Sequence, residues 1–253
     1  LDRDLRVLHA QAGSVLKEAA GHLKKILSEN KDAPAVKEPA IQALCNVAGD
    51  SVAFQYLSGW DWKQQFYDSG KNNWKDQWTL DGVKAKVKNT DRGMEIYGGP
   101  IAYNDSSHGV LWTQKYFKGD LMIHYDYTRL DEQTKYVNIL YIEATGSGEG
   151  PHKKDIAEWA ELRKVASMSQ YFGNMYLYHI SYAAFVNRDG ENKPGYIRAR
   201  RYLADELNGT AIKPDYLPKG LFATGVPHQI KVIKTDRHLF MRIETPEVTR
   251  LCH

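Results

Sequence analysis

The sequence is poor in cysteine and nearly balanced in charge. The two cysteines, Cys45 and Cys252, lie far apart and match no metal-ligand spacing, so they define neither a disulfide framework nor a redox compartment. With 34 basic against 31 acidic residues the net charge is +3, well short of the clustered basic excess that releases counterions from a nucleic acid. No nucleic-acid partner is expected; an anionic small or polymeric substrate is compatible with this balance. No stretch reaches the roughly 18 apolar residues of a membrane span, and no basic-then-apolar leader opens the chain at Leu1. Repeats and low-complexity tracts are missing. His108, His124 and His228 are scattered with no short ligand cluster, so no metal or cofactor is expected. The Glu-x-Asp-x-x-Glu strand signature of jelly-roll glucanases is absent, which disfavours a glycoside hydrolase with paired carboxylates.

What is present divides the chain in two. With 42% hydrophobic residues in 253, the chain can bury a sizeable core. From Leu5, the apolar residues Leu8, Ala12, Val15, Leu16, Ala19, Leu23, Ile26 and Leu27 recur at three- and four-residue steps, predicting an amphipathic helix. Asn30 to Pro39 reads as a polar turn, and Ile41, Leu44, Val47 and Ala48 as a second helix ending near Gly49. Residues 1–58 are thus expected to form a helical appendage whose apolar stripe serves packing or homo-oligomerisation. From Trp60 onward short alternating segments predict strands: Gly93 to Tyr97, Val110 to Tyr116, Leu121 to Thr128, Tyr136 to Ala144, Tyr176 to Phe185, Tyr196 to Tyr202, His228 to Lys234 and His238 to Glu244. Lys153 to Met168 reads as a rim helix. Eight strands point to an all-β sandwich or jelly roll over residues 59–253.

Successive strand residues face opposite ways, so each strand carries two sets of side chains. Tyr196, Arg198, Arg200 and Tyr202 share one face, which suits gripping an anion and stacking on sugar rings, or equally a solvated face with cation–π pairs. His124 beside Asp126 is an oriented base or an exposed pair. In "NMYLYHISYAAF", His179 falls on one face and Tyr178 and Tyr182 on the other. Only a bulge could aim His179 and Tyr182 at one point.

The segments "VLWTQKYFKGDLMIHYDYTRLD", "VNILYIEATGSG", "YHISYAAF", "YIRARRY" and "GVPHQIKVIK", in this order, resemble the YesU-like family of concanavalin A-like jelly rolls over about Phe66 to Glu244. The likeness is nearest to the marine bacterial branch that contains an ulvan oligosaccharide dehydratase, and it implies a periplasmic or secreted location. It further implies functional roles for the His and second Tyr of "YHISY", here His179 and Tyr182, and for an Arg of the next strand, here Arg200. Relatives continue through two further strands, so a sandwich ending at His253 is expected to lack its last strands, with an exposed edge.

A dehydratase acting on a terminal uronate needs a cation for the carboxylate, a base for the C5 proton and an acid for the leaving 4-hydroxyl. Arg200, helped by Arg198 or Asn138, suits the first role, and His179 or a tyrosinate the second. Tyr182 or Tyr178 suits the third. A lyase would use the same set with a sugar departing. A non-catalytic binding module would need only the aromatic and Arg face, with Tyr196 and Trp112; Glu143 is the only strand Glu of the central region.

Overall fold

The computed structural model describes residues 2–133, 137–188 and 191–253. In chain order it forms helices α1 (Asp2–Glu29), α2 (Pro34–Ala48) and α3 (Asp50–Ser58), then strands β1 (Trp78–Asp81), β2 (Lys86–Thr90), β3 (Gly93–Tyr97), β4 (Val110–Thr113), β5 (Leu121–Thr128) and β6 (Asn138–Gly146). A 3-10 segment, Ile156–Arg163, and helix α4 (Met168–Asn174) precede β7 (Met175–Arg188), β8 (Glu191–Tyr202), β9 (Thr210–Tyr216), β10 (Pro227–Lys234), β11 (Leu239–Glu244) and β12 (Thr249–Cys252). The protein is therefore mostly antiparallel β-structure with some helix. No described helix is long and apolar enough to cross a membrane.

The chain divides into two compact units. One comprises residues 1–63, 118–130 and 223–253, and the other residues 64–117 and 131–222. The boundary expected at residue 58 does not coincide with this division, because the helices share a core with a sheet. In the first unit four strands lie in the order β12-β11-β10-β5. Leu27 of α1, Ile41 and Leu44 of α2, and Phe54 and Leu57 of α3 are buried with Ile233 of β10 and Phe240 of β11, with Met122 and Leu251 packed against them. Burial of side chains of this size contributes about 1.5–3 kcal/mol each. Of the apolar stripe read from the sequence, Leu27 is buried here and Leu23 packs against this core, while Ala12, Val15, Leu16 and Ile26 are exposed. A buried polar knot ties α2 to the β10–β11 turn: Glu38 Oε2 accepts from the Thr235 hydroxyl (2.7 Å) and the Arg237 backbone N–H (2.9 Å). Lys37 beside it reaches Asp120 at 2.6 Å.

Two local expectations change. The polar turn closes by Ala33, since Pro34 stands in the first turn of α2, where its missing N–H costs nothing; the helix then continues through Pro39. The expected rim helix over Lys153 to Met168 is a kinked 3-10 segment followed by α4, the break lying at Trp159 with φ −128°. β3 and β5 match their expected bounds, while β1, β2, β9 and β12 went unforeseen. Tyr136, taken as the start of a strand, lies outside the described residues.

The second unit contains the four-stranded antiparallel sheet β6-β7-β8-β9 and the two-stranded pairs β1-β4 and β2-β3. Beside the larger sheet, Trp159, Ala166, Tyr171, Met175, Leu177 and Tyr202 form a buried cluster joined by Trp112, Tyr141 and Phe172. This cluster backs the candidate site.

Candidate functional site

The register of the central strands decides which side chains meet. Across β6, β7 and β8, Tyr141 pairs with His179 and His179 with Arg200; the neighbouring rows pair Ile139 with Ser181 and Ser181 with Arg198. Directly paired residues project to the same side. One face of the sheet therefore carries Tyr141, His179, Ser181, Arg198, Arg200 and Tyr202. Tyr196, Arg198, Arg200 and Tyr202 do share a face, as their alternation predicts, and His179 joins them.

His179 is only 6% exposed. Its ring stacks with Tyr202 at 5.6 Å and lies 5.5 Å from Phe172, while Tyr141 meets it edge-on at 5.6 Å. Nε2 lies 2.7 Å from the Ser181 hydroxyl, whereas Nδ1 is buried without a hydrogen-bond partner. Burial first, then the nearby Arg200 and Arg198 charges, pushes its pKa down to about 4, so the imidazole is neutral near pH 7. An orphaned buried nitrogen costs about 1–3 kcal/mol.

The two arginines are held differently. Arg198 donates from Nε (2.9 Å) and Nη2 (2.7 Å) to Asp215 Oδ2 and stacks over Tyr196 at 4.3 Å. Asp215 also pairs with Lys213 at 3.2 Å, and these two cations lower its pKa. Arg198 thus faces a carboxylate of its own chain. Arg200 instead donates to the Tyr202 hydroxyl (3.4 Å) and the Asn208 carbonyl (3.2 Å), both neutral acceptors. Arg200 is accordingly the better placed of the two for an external anion.

The remaining expected site residues are dispersed. β7 pairs regularly with β6 from Tyr178 to Tyr182, and its pairing with β8 slips first between Ser181 and Ala184, where Ala183 takes φ 44°, and again between Ala184 and Val186. The irregularity comes too late to reverse Tyr182. That residue stays on the face opposite His179, buried beside Phe222 at 5.8 Å, so the expected His179–Tyr182 pair is not assembled. Tyr178 lies on that opposite face too, under the Arg201 guanidinium at 4.3 Å. Asn138 and Glu143 are exposed on β6, Glu143 at a bulge with φ 55°. His124 is exposed on β5 and belongs to the first unit, opposite Lys231.

Trp112 has a more specific place. Its ring stacks on Tyr141 at 5.6 Å, and its Nε1–H donates to Asp81 Oδ2 at 2.7 Å. The same oxygen accepts from Arg163 Nε (2.7 Å) and from the Tyr171 hydroxyl (3.2 Å). Asp81 and Arg163 are 2% and 1% exposed. This buried ion pair fixes Trp112, which fixes Tyr141, which packs against His179. Sequence reading missed Asp81 because β1 has four residues, too few to show alternation. It missed Tyr171 because the helix was placed too early. Burial, and then the Asp81 charge, raises the pKa of Tyr171, and burial raises that of Tyr141, so both rings stay protonated. A shallow open hollow elsewhere on this unit, lined by Phe66, Tyr67, Gln114 and Lys115 among others, contains no residue of this face.

No family model matches the chain, and neither a curated protein nor a solved structure matches it. The functional reading therefore rests on this face.

Proposed function

We propose that the protein is a carbon–oxygen lyase acting on anionic, uronate-containing oligosaccharides by β-elimination, with water as the leaving group. We assign it to the YesU-like concanavalin A-like jelly rolls on the sequence motifs alone; the mostly antiparallel β-structure is consistent with a β-sandwich. The observation that carries the proposal is the neutral, buried His179 with an unpartnered ring nitrogen, directly across the sheet from Arg200.

In this reading Arg200 takes the uronate carboxylate, which stabilises the carbanion-like charge that develops on it as the C5 proton leaves. His179 accepts that proton. The C5–H electrons form the C4–C5 double bond, the C4–O bond breaks, and the departing oxygen receives a proton from Tyr202, whose hydroxyl lies beside Arg200. Tyr202 replaces Tyr182 in this role because it shares the His179 face. Burial chiefly, and the arginine charges after it, depress the His179 pKa; a carboxylate clamped by Arg200 offsets the second of these and moves the base toward the range in which it works. The carboxylate thereby activates its own base.

The burial of His179 and Tyr202, 6% and 2% exposed, favours a second reading, a non-catalytic carbohydrate-binding face built on Arg200 and Tyr196. His179→Gln separates the two. In the enzyme it abolishes unsaturated product while oligosaccharide binding persists. If wild-type protein binds the oligosaccharide and forms no product, the binding reading holds and the lyase proposal falls.

A further inference from the structure

In the unit that carries α1–α3, three side chains of metal-ligand type converge from separate elements. Cys45 stands near the C-terminal end of α2, Asp50 opens α3 and His253 follows β12. One ligand atom of each lies within 4.8 Å of the other two. Gly49, with φ 89°, breaks the helix between Cys45 and Asp50, and its N–H donates to the Cys45 carbonyl at 2.8 Å. Helix breaking here places the Asp50 carboxylate against the Cys45 thiol, which hydrogen-bonds to it.

Hydrogen-bond polarity shows what this arrangement calls for. His238 Nε2 lies 3.1 Å from the Glu38 carbonyl oxygen, which can only accept, so Nε2 carries a hydrogen. At 4% exposure the His238 ring avoids burying a charge by staying neutral, which leaves a lone pair on Nδ1. That lone pair faces His253 Nε2 at 3.0 Å, so His253 donates from Nε2. Nδ1 of His253 then confronts Asp50 Oδ1 at 3.1 Å, another atom that can only accept. A proton would serve for this pair alone, but the Cys45 sulfur makes a third donor that a metal ion would use. Tetrahedral zinc with bonds of about 2.0–2.1 Å to N and O separates those ligands by about 3.3 Å, close to the spacing already present. Stacking of His253 on Phe240 at 3.9 Å fixes the ring, and the half-exposed Asp50 leaves an open side for a water ligand.

We propose that Cys45, Asp50 and His253 form a binding site for one divalent transition-metal ion of the zinc class, with His238 as the positioning residue that orients His253. The mixture of thiolate, imidazole and carboxylate selects zinc or cobalt over magnesium or calcium. Binding displaces the Cys45 thiol proton, and any proton on His253 Nδ1, to solvent; the sulfur and nitrogen lone pairs then enter the metal bonds.

The test uses the full chain without an affinity tag, stripped with a chelator and titrated with zinc by calorimetry. One equivalent should bind. Cys45→Ser and His253→Ala should each weaken binding by more than the roughly 10–100-fold typical of outer partners, and Asp50→Asn, at a half-exposed position that tolerates the change, by at least about tenfold. His22→Ala, on the exposed surface of α1, should have no effect. Cobalt added to the stripped protein should give a thiolate-to-metal charge-transfer band, absent in Cys45→Ser. The proposal is overturned if one-to-one binding does not occur, if folded Asp50→Asn binds as wild type, or if Cys45→Ser retains the band.

Discussion

Replacing Asp81 by Asn should destabilise the second unit more than any conservative surface change, because the substitution removes the carboxylate that pairs with a buried guanidinium. Arg163 is 1% exposed; its Nε donates to Asp81 Oδ2 at 2.7 Å and its Nη1 to the Ile156 carbonyl at 2.7 Å. Asn preserves volume and still offers an oxygen to Trp112 and Tyr171, so the loss is chiefly the charge. Breaking a buried pair by removing one partner costs about 3–5 kcal/mol, a large share of the roughly 5–15 kcal/mol that stabilises a typical domain. Arg163→Met, which leaves the carboxylate unpaired, should cost a similar amount. The double variant should cost far less than the sum, since it removes both charges and fills the space with a flexible apolar chain. Urea unfolding at pH 7, read by tryptophan fluorescence, gives the four stabilities of the cycle. Single-variant losses below about 1 kcal/mol, or strict additivity, would refute the assignment of this pair as the brace behind Trp112 and Tyr141.

Other consequences follow from the same contacts. His179 has a folded pKa of about 4 against an ordinary 6.5, so the unfolded chain binds its proton first; the contribution is fully present above pH 6.5 and is lost as pH falls through about 4. Its full size is on the order of 3 kcal/mol, and His179→Gln should flatten the stability–pH curve in that window; an unchanged slope contradicts the burial argument. Arg200→Lys keeps the charge but loses the planar fork, so kcat/KM on a uronate substrate should drop by at least about tenfold with unaltered unfolding midpoint; wild-type kinetics would remove Arg200 from the site. Deleting residues 1–58 strips the cover from Ile233 and Phe240, so the remainder should bind a hydrophobic dye or precipitate; a soluble, cooperatively unfolding product would contradict the shared core.

Much of the strand pattern was legible because alternation over five to eight residues survives in sequence: Leu121–Thr128 and Gly93–Tyr97 have the expected bounds. β1 and β12, four residues each, carry too few alternations to register. The alternation also placed Arg198 and Arg200 beside Tyr196 and Tyr202, and correctly opposed His179 to Tyr182. It could not show that Arg198 is engaged by Asp215, a contact between side chains of different strands, nor that His179 is enclosed by Phe172 from the helix immediately preceding its own strand. Cys45, Asp50 and His253 lie beyond any spacing rule, because Gly49 and the end of β12 bring them together only in three dimensions. The helices were read as helices from their periodicity, but their partners, Ile233 and Phe240, lie nearly two hundred residues further on.

The central claim is elimination from a uronate, and product mass tests it most directly. Uronate-terminated ulvan oligosaccharides incubated with the protein should lose one water per chain, with absorbance rising in the band of the conjugated unsaturated uronate and no change in chain length. Unchanged mass and absorbance under conditions where the oligosaccharide is bound would contradict it.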